Sequence, residues 1–496
     1  MPDWSAVSSN PATSRAPSIV GVAQVVDRPG DHDLSAAPGP IELMAQAARA
    51  AADDAGAPSL LDRVTWVGAA AGLFRFKDPA ASVAAALGIP SPHTVVAAIS
   101  GTSPQDLVAV ACERVAAGDV EVALVLGGEA RWTAQRTRQE DVPRSWDEAP
   151  GDRADEEIGG LAPEMLAEMA STGPAAVSYA LFEDALRVRA GRSIAEQRDH
   201  CAGLWARFSA VAETNPYAWD RTHHTMGAIR DTSTANRMIA FPYTKAMVAN
   251  NTVNMASALL IASPEAARTA GVVTGRIVYP LVVTSSHETW EMLRRDDLAS
   301  TPALAAAGHA ALDHVGLDVS DVDHVDLYAC FPSIVQMSSA ALGLSEDRQL
   351  TQTGGLGFAG AALSNAVGHS IAAIVDRVRR GGVGLVHGNG GSATKHSFAI
   401  YAQDPTGSFE WIDCQDRVDL GEREVLPTDF DGTVVVDAAT VRYDREGPSN
   451  ALAAVCSDDG RRAWATSEDP ELIARIESEG IAGREVRRLA DGTMAL

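Results

Sequence analysis

Residues 95–106 read VVAAISGTSPQD. The apolar run Val95, Val96, Ala97, Ala98, Ile99 has the length of a buried strand. Ser100-Gly101 breaks it, and a helical run opens at Thr102-Ser103-Pro104 and continues to Gly118. A strand that turns sharply into a helix can hold a side chain at the helix N-terminus, where backbone N–H groups favour negative charge. Ser100 therefore sits where a nucleophile would be useful. Working outward, DVEVALVLGGEA (119–130) reads as a strand closing on a glycine pair, and RVTWVGAA (63–70) as the strand before. ASVAAALGI (81–89) has the spacing of a short helix, and residues 40–56 that of a longer one with Gly56 just past its end. SIVGVAQVVD (18–27) reads as another buried strand. Strand–helix alternation of this kind predicts an α/β protein whose sheet is covered on both faces.

The same order returns about 260 residues later. PALAAAGHAALDHVG (302–316) reads as a helix and VDHVDLYACF (322–331) as a strand. QMSSAALGL (336–344) matches SVAAALGI (82–89). A Gly-rich turn follows at 354–361, then a helix from Ser364, then VGLVHGNGG (383–391), which again closes on a glycine pair. Such a repeat predicts an internal duplication, with equivalent turns meeting near a pseudo-twofold axis. That would bring Ser100 close to residues 354–363.

The rest of the chain divides around this core. Residues 1–17 read as disordered, 18–130 as the first half and 271–403 as the second. Residues 131–245 form an excursion that returns to the core by about 270. Its opening, RTRQEDVPRSWDEAPGDRADEE (136–157), is charged and reads as loop; EQRDHCAGLWARFSAVAE (196–213) reads as helix. An insertion between two halves suits a substrate lid. From residue 404 the character changes to strands, with a hairpin at Asp458-Asp459-Gly460 and a short helix starting at Pro470, predicting a small β-rich, OB-like domain.

Composition narrows the function. The 496 residues carry a formal net charge of −25, which argues against nucleic acid and anionic membrane surfaces as partners. No apolar stretch reaches the length of a membrane span, and the polar start has no signal-peptide core, so no membrane insertion is expected. The five scattered cysteines, with no CxxC pair, fit a reduced cytoplasm and exclude a zinc-ribbon pattern.

The duplicated halves, the run ISGTSPQDLVAVACERVAAGDVEVALVLGG (99–128) and FPYTK (241–245) resemble the thiolase superfamily. Within it the chain is most similar to acetyl-CoA acetyltransferase-like, lipid-transfer-protein-type thiolases that carry an extra C-terminal domain. The resemblance covers about residues 18–403. It implies a duplicated, layered α/β/α fold and an acyl-CoA thioester as substrate or ligand, with no covalently bound cofactor. It also implies a homodimer formed through the first-half nucleophile region, with a monomer as the alternative.

Members of that superfamily cleave or condense acyl-CoA esters with two cysteines and a histidine. Here the nucleophile position holds Ser100, the histidine position Ala361, and the second cysteine position His387. A thiolate is appreciably populated near neutral pH and a serine alkoxide is not, so Ser100 needs a base. His387 or His369 could serve if either lay within reach. Tyr328 falls at the family's Asn/His position, and resembles the tyrosine of steroid side-chain aldolases, which cleave β-hydroxyacyl-CoA esters by a retro-aldol route. Cys330, two residues on, would share a strand face with Tyr328. Asn389 could donate to a thioester oxygen. Gly355, Gly357 and Gly360 match GxGxxG, but no apolar strand precedes them. They suit close backbone approach to a thioester rather than a dinucleotide. Arg237 and Lys245, with Arg230 nearby, could meet CoA phosphates. The spacing of His and acidic residues points to no metal.

Three functions follow from this reading: an acyltransferase by resemblance, a retro-aldolase through Tyr328, and a non-catalytic acyl-CoA or lipid binding protein.

Overall fold

A computed structural model describes residues 15–146, 151–405 and 407–495. Residues 1–14 of the segment read as disordered lie outside the described residues; Ala16 and Pro17, which that reading included, are buried.

The first half begins with strand β1 (Ser18–Val26), helix α1 (Pro40–Asp54), β2 (Val64–Ala70), α2 (Pro79–Leu87) and β3 (His93–Ala97). Helix α3 (Ser103–Ala117) follows the Ser100 turn. Pro104 stands in its first turn, where a missing N–H costs nothing, and Gly118 closes it at φ 87°. Then comes β4 (Val122–Ala130), and directly after it α4 (Arg131–Glu140). This helix corrects the loop expected there. Strand β5 (Glu156–Ile158) corrects it again, by pairing in parallel with β3.

The segment between β5 and β8 contains α5 (Pro163–Thr172), α6 (Ala175–Arg189), α7 (Ile194–Thr214), and the short strands β6 (Met238–Ala240) and β7 (Tyr243–Thr244). Ser193 and Glu196 form a reciprocal cap at the start of α7. Strand β8 (Asn254–Ala262) returns the chain to the first sheet.

The second half comprises β9 (Tyr279–His287), α8 (Pro302–Val315), β10 (His324–Asp326), α9 (Pro332–Leu342) and α10 (Gly355–Phe358). It continues with α11 (Ala366–Val378), β11 (Gly384–Gly390) and β12 (Lys395–Ala402). Two expectations are corrected here. The strand foreseen over 322–331 stops at Asp326, and the glycine turn contains the single helical turn α10.

The duplication is explicit in the pairing. The first sheet runs β1-β8-β4-β2-β3-β5 and the second β10-β11-β12-β9-β13, where β13 is Glu410–Asp413. Within them β2-β4-β8-β1 and β10-β11-β12-β9 share one pattern of senses: parallel, antiparallel, antiparallel. Helix α3 touches strands of both sheets, and so does α11. Helix α1 lies on the outside of the first sheet and α8 on the outside of the second. The core is thus five layers, helix–sheet–helix–sheet–helix, a duplicated thiolase-like α/β arrangement.

The tail forms a third sheet. Strands β14 (Gly432–Tyr443), β15 (Pro448–Cys456), β16 (Arg462–Ser467), β17 (Glu485–Arg488) and β18 (Met494–Ala495) pair in the order β16-β15-β14-β17-β18, with helix α12 (Pro470–Ser478) against β14 and β15. This domain has its own apolar core of Val434, Val436, Val441, Leu472 and Ile476. Several contacts join it to the rest, among them helix α6 packed on β14, where the Ala439 N–H donates to Asp184 Oδ2 at 2.9 Å. Strand β6 pairs with β14 at Ala240 and Arg442. The guanidinium of Arg462, fully buried, donates to the carbonyls of Arg295 and Asp296 and to Asp437 Oδ2. Residues 410–413, read from sequence as part of the tail, extend the second core sheet instead.

Candidate functional site

The turns of the two halves meet at a cleft of about 370 Å³. Ser100 and Gly101 come from the β3–α3 turn, Tyr328 and Cys330 from the segment after β10, and Asn389 and Gly390 from the end of β11. Ser364 follows the glycine turn, and Tyr179 projects from α6. Apolar walls are supplied by Ile99, Leu161, Met169, Ile239 and Leu356. A mostly apolar cleft with a few convergent polar groups is the usual form of a small-molecule site.

Close packing of glycines brings the halves together. A Cβ at Gly101 would overlap the carbonyl oxygen of Asn389 and press on the Tyr328 hydroxyl. A Cβ at Gly390 would overlap Ser100 Oγ.

Ser100 is buried at 6% exposure. Its hydroxyl lies 2.9 Å from Thr102 Oγ1, and Thr102 in turn donates to Asp106 Oδ2 at 3.0 Å. Burial raises the Asp106 carboxyl above the usual range; Lys395, 3.9 Å away, and the Thr102 hydroxyl oppose that rise.

Tyr328 lines the cleft, and burial together with neighbouring Cys330 holds its phenol protonated well above the ordinary tyrosine value. Cys330 also lines the cleft, with its thiol pushed up to about 12 by burial. It is therefore a thiol and not a thiolate at neutral pH.

Asn389 has a determined orientation. Tyr179 spends its one hydroxyl hydrogen on Gly391 O, 3.0 Å away, and accepts from Ala393 N–H. Asn389 must then donate to it through Nδ2, at 2.7 Å. Its buried Oδ1 is left without a partner, as is the hydroxyl of Ser364.

The two histidines named from sequence lie elsewhere. His387 is fully buried, stacked on Phe398, 3.3 Å from Ser338 Oγ and 3.3 Å from His396 Nδ1. Burial, helped by His396, holds it neutral. His369 meets Gln24 Oε1 at 2.9 Å, and burial lowers it to about 4. Neither lines the Ser100 cleft. Gly355 packs under Phe208 of α7, Gly357 beside the Ala246 carbonyl, and Gly360 against Met255 and Trp219. Gly355 thus lets α7 pack closely on the core; of that turn, Leu356 reaches the cleft.

Arg237 lines a second cleft, of about 480 Å³, between the β6 region and the tail domain, and donates to the Met238 carbonyl. Lys245 is exposed, and Arg230 is paired with Asp199 and Asp231. Among the described residues no group of three His, Cys, Asp or Glu side chains is placed to hold a metal ion.

Thr102, Asp106 and Tyr179 were not singled out by sequence reasoning. For Asp106 a signal existed: Thr102 and Asp106 stand four apart at the start of a helix, so their side chains share a face with the turn that carries Ser100.

The known proteins agree with this architecture. Residues 413–493 match the family described as the thiolase-like protein type 1 additional C-terminal domain. A monomeric SCP2-thiolase-like protein type 1 from Mycobacterium smegmatis superposes with a TM-score of 0.82 at 30% identity, covering 97% of this chain and 99% of that one. The Ltp2-ChsH2(DUF35) aldolase gives 0.59 at 18% identity, over 78% of this chain and 98% of that one. Human mitochondrial 3-ketoacyl-CoA thiolase gives 0.58 at 17% identity, also over 78% and 98%. The last two share the fold. No curated protein matches the chain. Five layers built by duplication, an additional C-terminal domain and end-to-end similarity to the mycobacterial protein place this chain in the SCP2-thiolase-like protein type 1 family of the thiolase superfamily.

Proposed function

We infer that this protein binds an acyl thioester of coenzyme A in the Ser100–Tyr328–Asn389 cleft and does not run two-cysteine thiolysis. One observation carries this reading. The cleft gathers Ser100, Tyr328, Cys330 and Asn389 while both candidate histidines are folded away from it. Thiolysis needs a thiolate and a proton carrier beside it. The cleft's one cysteine is held protonated, and no imidazole lines the cleft. The apolar walls suit an acyl chain, and the unpartnered Asn389 Oδ1 and Ser364 hydroxyl suit polar atoms near a thioester. A human thiolase of the same fold has been solved with CoA, which supports the ligand class.

The test is calorimetry with a non-cleavable acyl-CoA thioether, alongside product analysis with 3-ketoacyl-CoA and free CoA. Binding with no shortened acyl-CoA is expected. Shortened acyl-CoA, or no binding, would overturn the reading.

A second reading is favoured by Tyr328, whose hydroxyl lies over Gly101 at the cleft. A phenol kept protonated can donate to a thioester oxygen during retro-aldol cleavage of a β-hydroxyacyl-CoA. Release of a carbonyl fragment by the wild type, and its loss in Tyr328→Phe, would establish it.

We also assign a monomer rather than the expected dimer. The β3 edge, next to the Ser100 turn, is covered by β5, with Asp155 accepting from the Thr94 N–H at 2.9 Å. The added strand is short and carries Glu156 and Glu157, features that discourage edge-to-edge pairing. The mycobacterial relative is monomeric. Sedimentation equilibrium should return one chain's mass, and a dimer would refute the argument. The five cysteines are all unpaired, which suits a reducing compartment such as the cytoplasm.

A further inference from the structure

His387 and His369, the bases considered for Ser100, lie away from its cleft. The structure offers another route. Ser100 Oγ, Thr102 Oγ1 and Asp106 Oδ2 form a chain with steps of 2.9 and 3.0 Å. Ser100 and Thr102 are buried, and the Asp106 side chain is 13% exposed beside Lys395.

The proton direction follows from donor counting. A carboxylate only accepts, so Thr102 spends its single hydroxyl hydrogen on Asp106. Thr102 can then only accept from Ser100. The Ser100 hydrogen therefore points along the chain toward Asp106. The Thr102 backbone N–H donates to Ser100 Oγ from the other side, at 3.3 Å.

We propose that Ser100 is an acyl acceptor, activated through Thr102 by Asp106. The step rests on the reading that the cleft takes an acyl thioester. Ser100 Oγ bonds to the thioester carbonyl carbon, and the carbon–sulfur bond breaks. The acyl group remains as an ester on Ser100, and coenzyme A departs as thiolate. The Ser100 proton passes to Thr102 while the Thr102 proton passes to Asp106. Asp106 then releases its proton to solvent, and the thiolate takes one from solvent. With water as the final acceptor, the net reaction is thioester hydrolysis. Ser100 is the catalytic residue in this scheme; Thr102 and Asp106 are positioning residues that act through it.

The probe is octanoyl-CoA with the full chain, quenched in acid and analysed by intact-protein and peptide mass spectrometry. Binding of octanoyl-CoA thioether is measured in parallel. An octanoyl ester on the Ser100 peptide is expected, absent in Ser100→Ala. Thr102→Val and Asp106→Asn should slow its formation about 100-fold, while Thr102→Ser retains it. The acylation rate should rise with pH as Asp106 ionises, at a pH above the ordinary carboxylate value and modulated by facing Lys395; this rise should vanish in Asp106→Asn. A merely structural role would not move that profile. Thioether binding with no ester on Ser100, or equal acylation in Thr102→Val and Asp106→Asn, would refute the relay and leave the cleft reading standing. Failure of the thioether to bind would remove both.

Discussion

Tyr179→Phe tests the polar frame of the cleft. The phenol hydroxyl makes three hydrogen bonds: to Gly391 O at 3.0 Å, from Ala393 N–H at 3.0 Å and from Asn389 Nδ2 at 2.7 Å. The phenylalanine ring keeps its stacking on Phe331, 4.5 Å away, so no cavity forms. Only the polar cost remains. Each buried group left without its partner costs about 1–3 kcal/mol. Gly391 and Asn389 line the cleft and can recruit water, which puts them at the low end. Ala393 is fully buried and belongs near the middle. The sum is about 3–4 kcal/mol, read from urea unfolding followed by tryptophan fluorescence. The double variant with Asn389→Ala should recover about 1 kcal/mol, because the pair shares one bond. A loss below about 0.5 kcal/mol in the single variant would show that Tyr179 does not organise Asn389, and the argument for Asn389's orientation would fail with it.

Two other outcomes follow. His369 is neutral when buried, with a folded value lowered to about 4 against 6.5 unfolded, so the unfolded chain binds the extra proton first. Its contribution to stability is present above about pH 6.5 and is lost as pH falls toward 4, by about 3 kcal/mol. His369→Gln should flatten the pH–stability slope by up to one proton in that window; an unchanged slope would contradict the burial argument. Arg462→Leu removes the buried guanidinium that joins the tail domain to the carbonyls of Arg295 and Asp296. Limited proteolysis between residues 414 and 431 should accelerate about tenfold or more, and an unchanged cleavage rate would mean that the contacts of β14 with β6 and α6 hold the domain without Arg462.

Much of the fold was legible because both halves write the same order of elements, down to the glycine pair inside β4, two residues short of its end, and the one at the end of β11. The errors have physical causes. Helix α4 buries only Thr133 and Thr137, one turn apart, so it shows no apolar stripe and reads as charged loop. The run LYACF after Asp326 is apolar enough for a strand. However, Asp326 accepts from the N–H groups of Gln352 and Thr353, which turns the 351–354 segment across the strand end. The apolar residues then pack without a ladder. Within the site, Ser100, Tyr328 and Asn389 converge because they end segments of two equivalent halves. His387 and Asn389 lie two apart in β11 and so share a face of the sheet. The first is sealed under α9 and the second reaches the cleft. Depth along a strand is what sequence spacing does not record. Asp106 was hidden for the opposite reason, since an acid in the first turn of a helix has an ordinary electrostatic explanation.

Strand β6 has a consequence for biosynthesis. Ile239 forms part of the cleft wall, while the same strand is held by β14 through the Ala240–Arg442 pair and the Phe241 N–H to the Val441 carbonyl. Those partners lie about 200 residues apart in the chain. At roughly 5–20 residues per second, a ribosome takes on the order of 10–40 seconds to travel from one to the other. Until β14 emerges, that wall has only the short local pairing of β6 with β7, and Met238 and Phe241 lack the tail-domain core they pack into. The pocket is thus among the last features to be completed on the nascent chain, and a truncated translation product lacking the tail would carry a finished two-sheet core around an unfinished cleft.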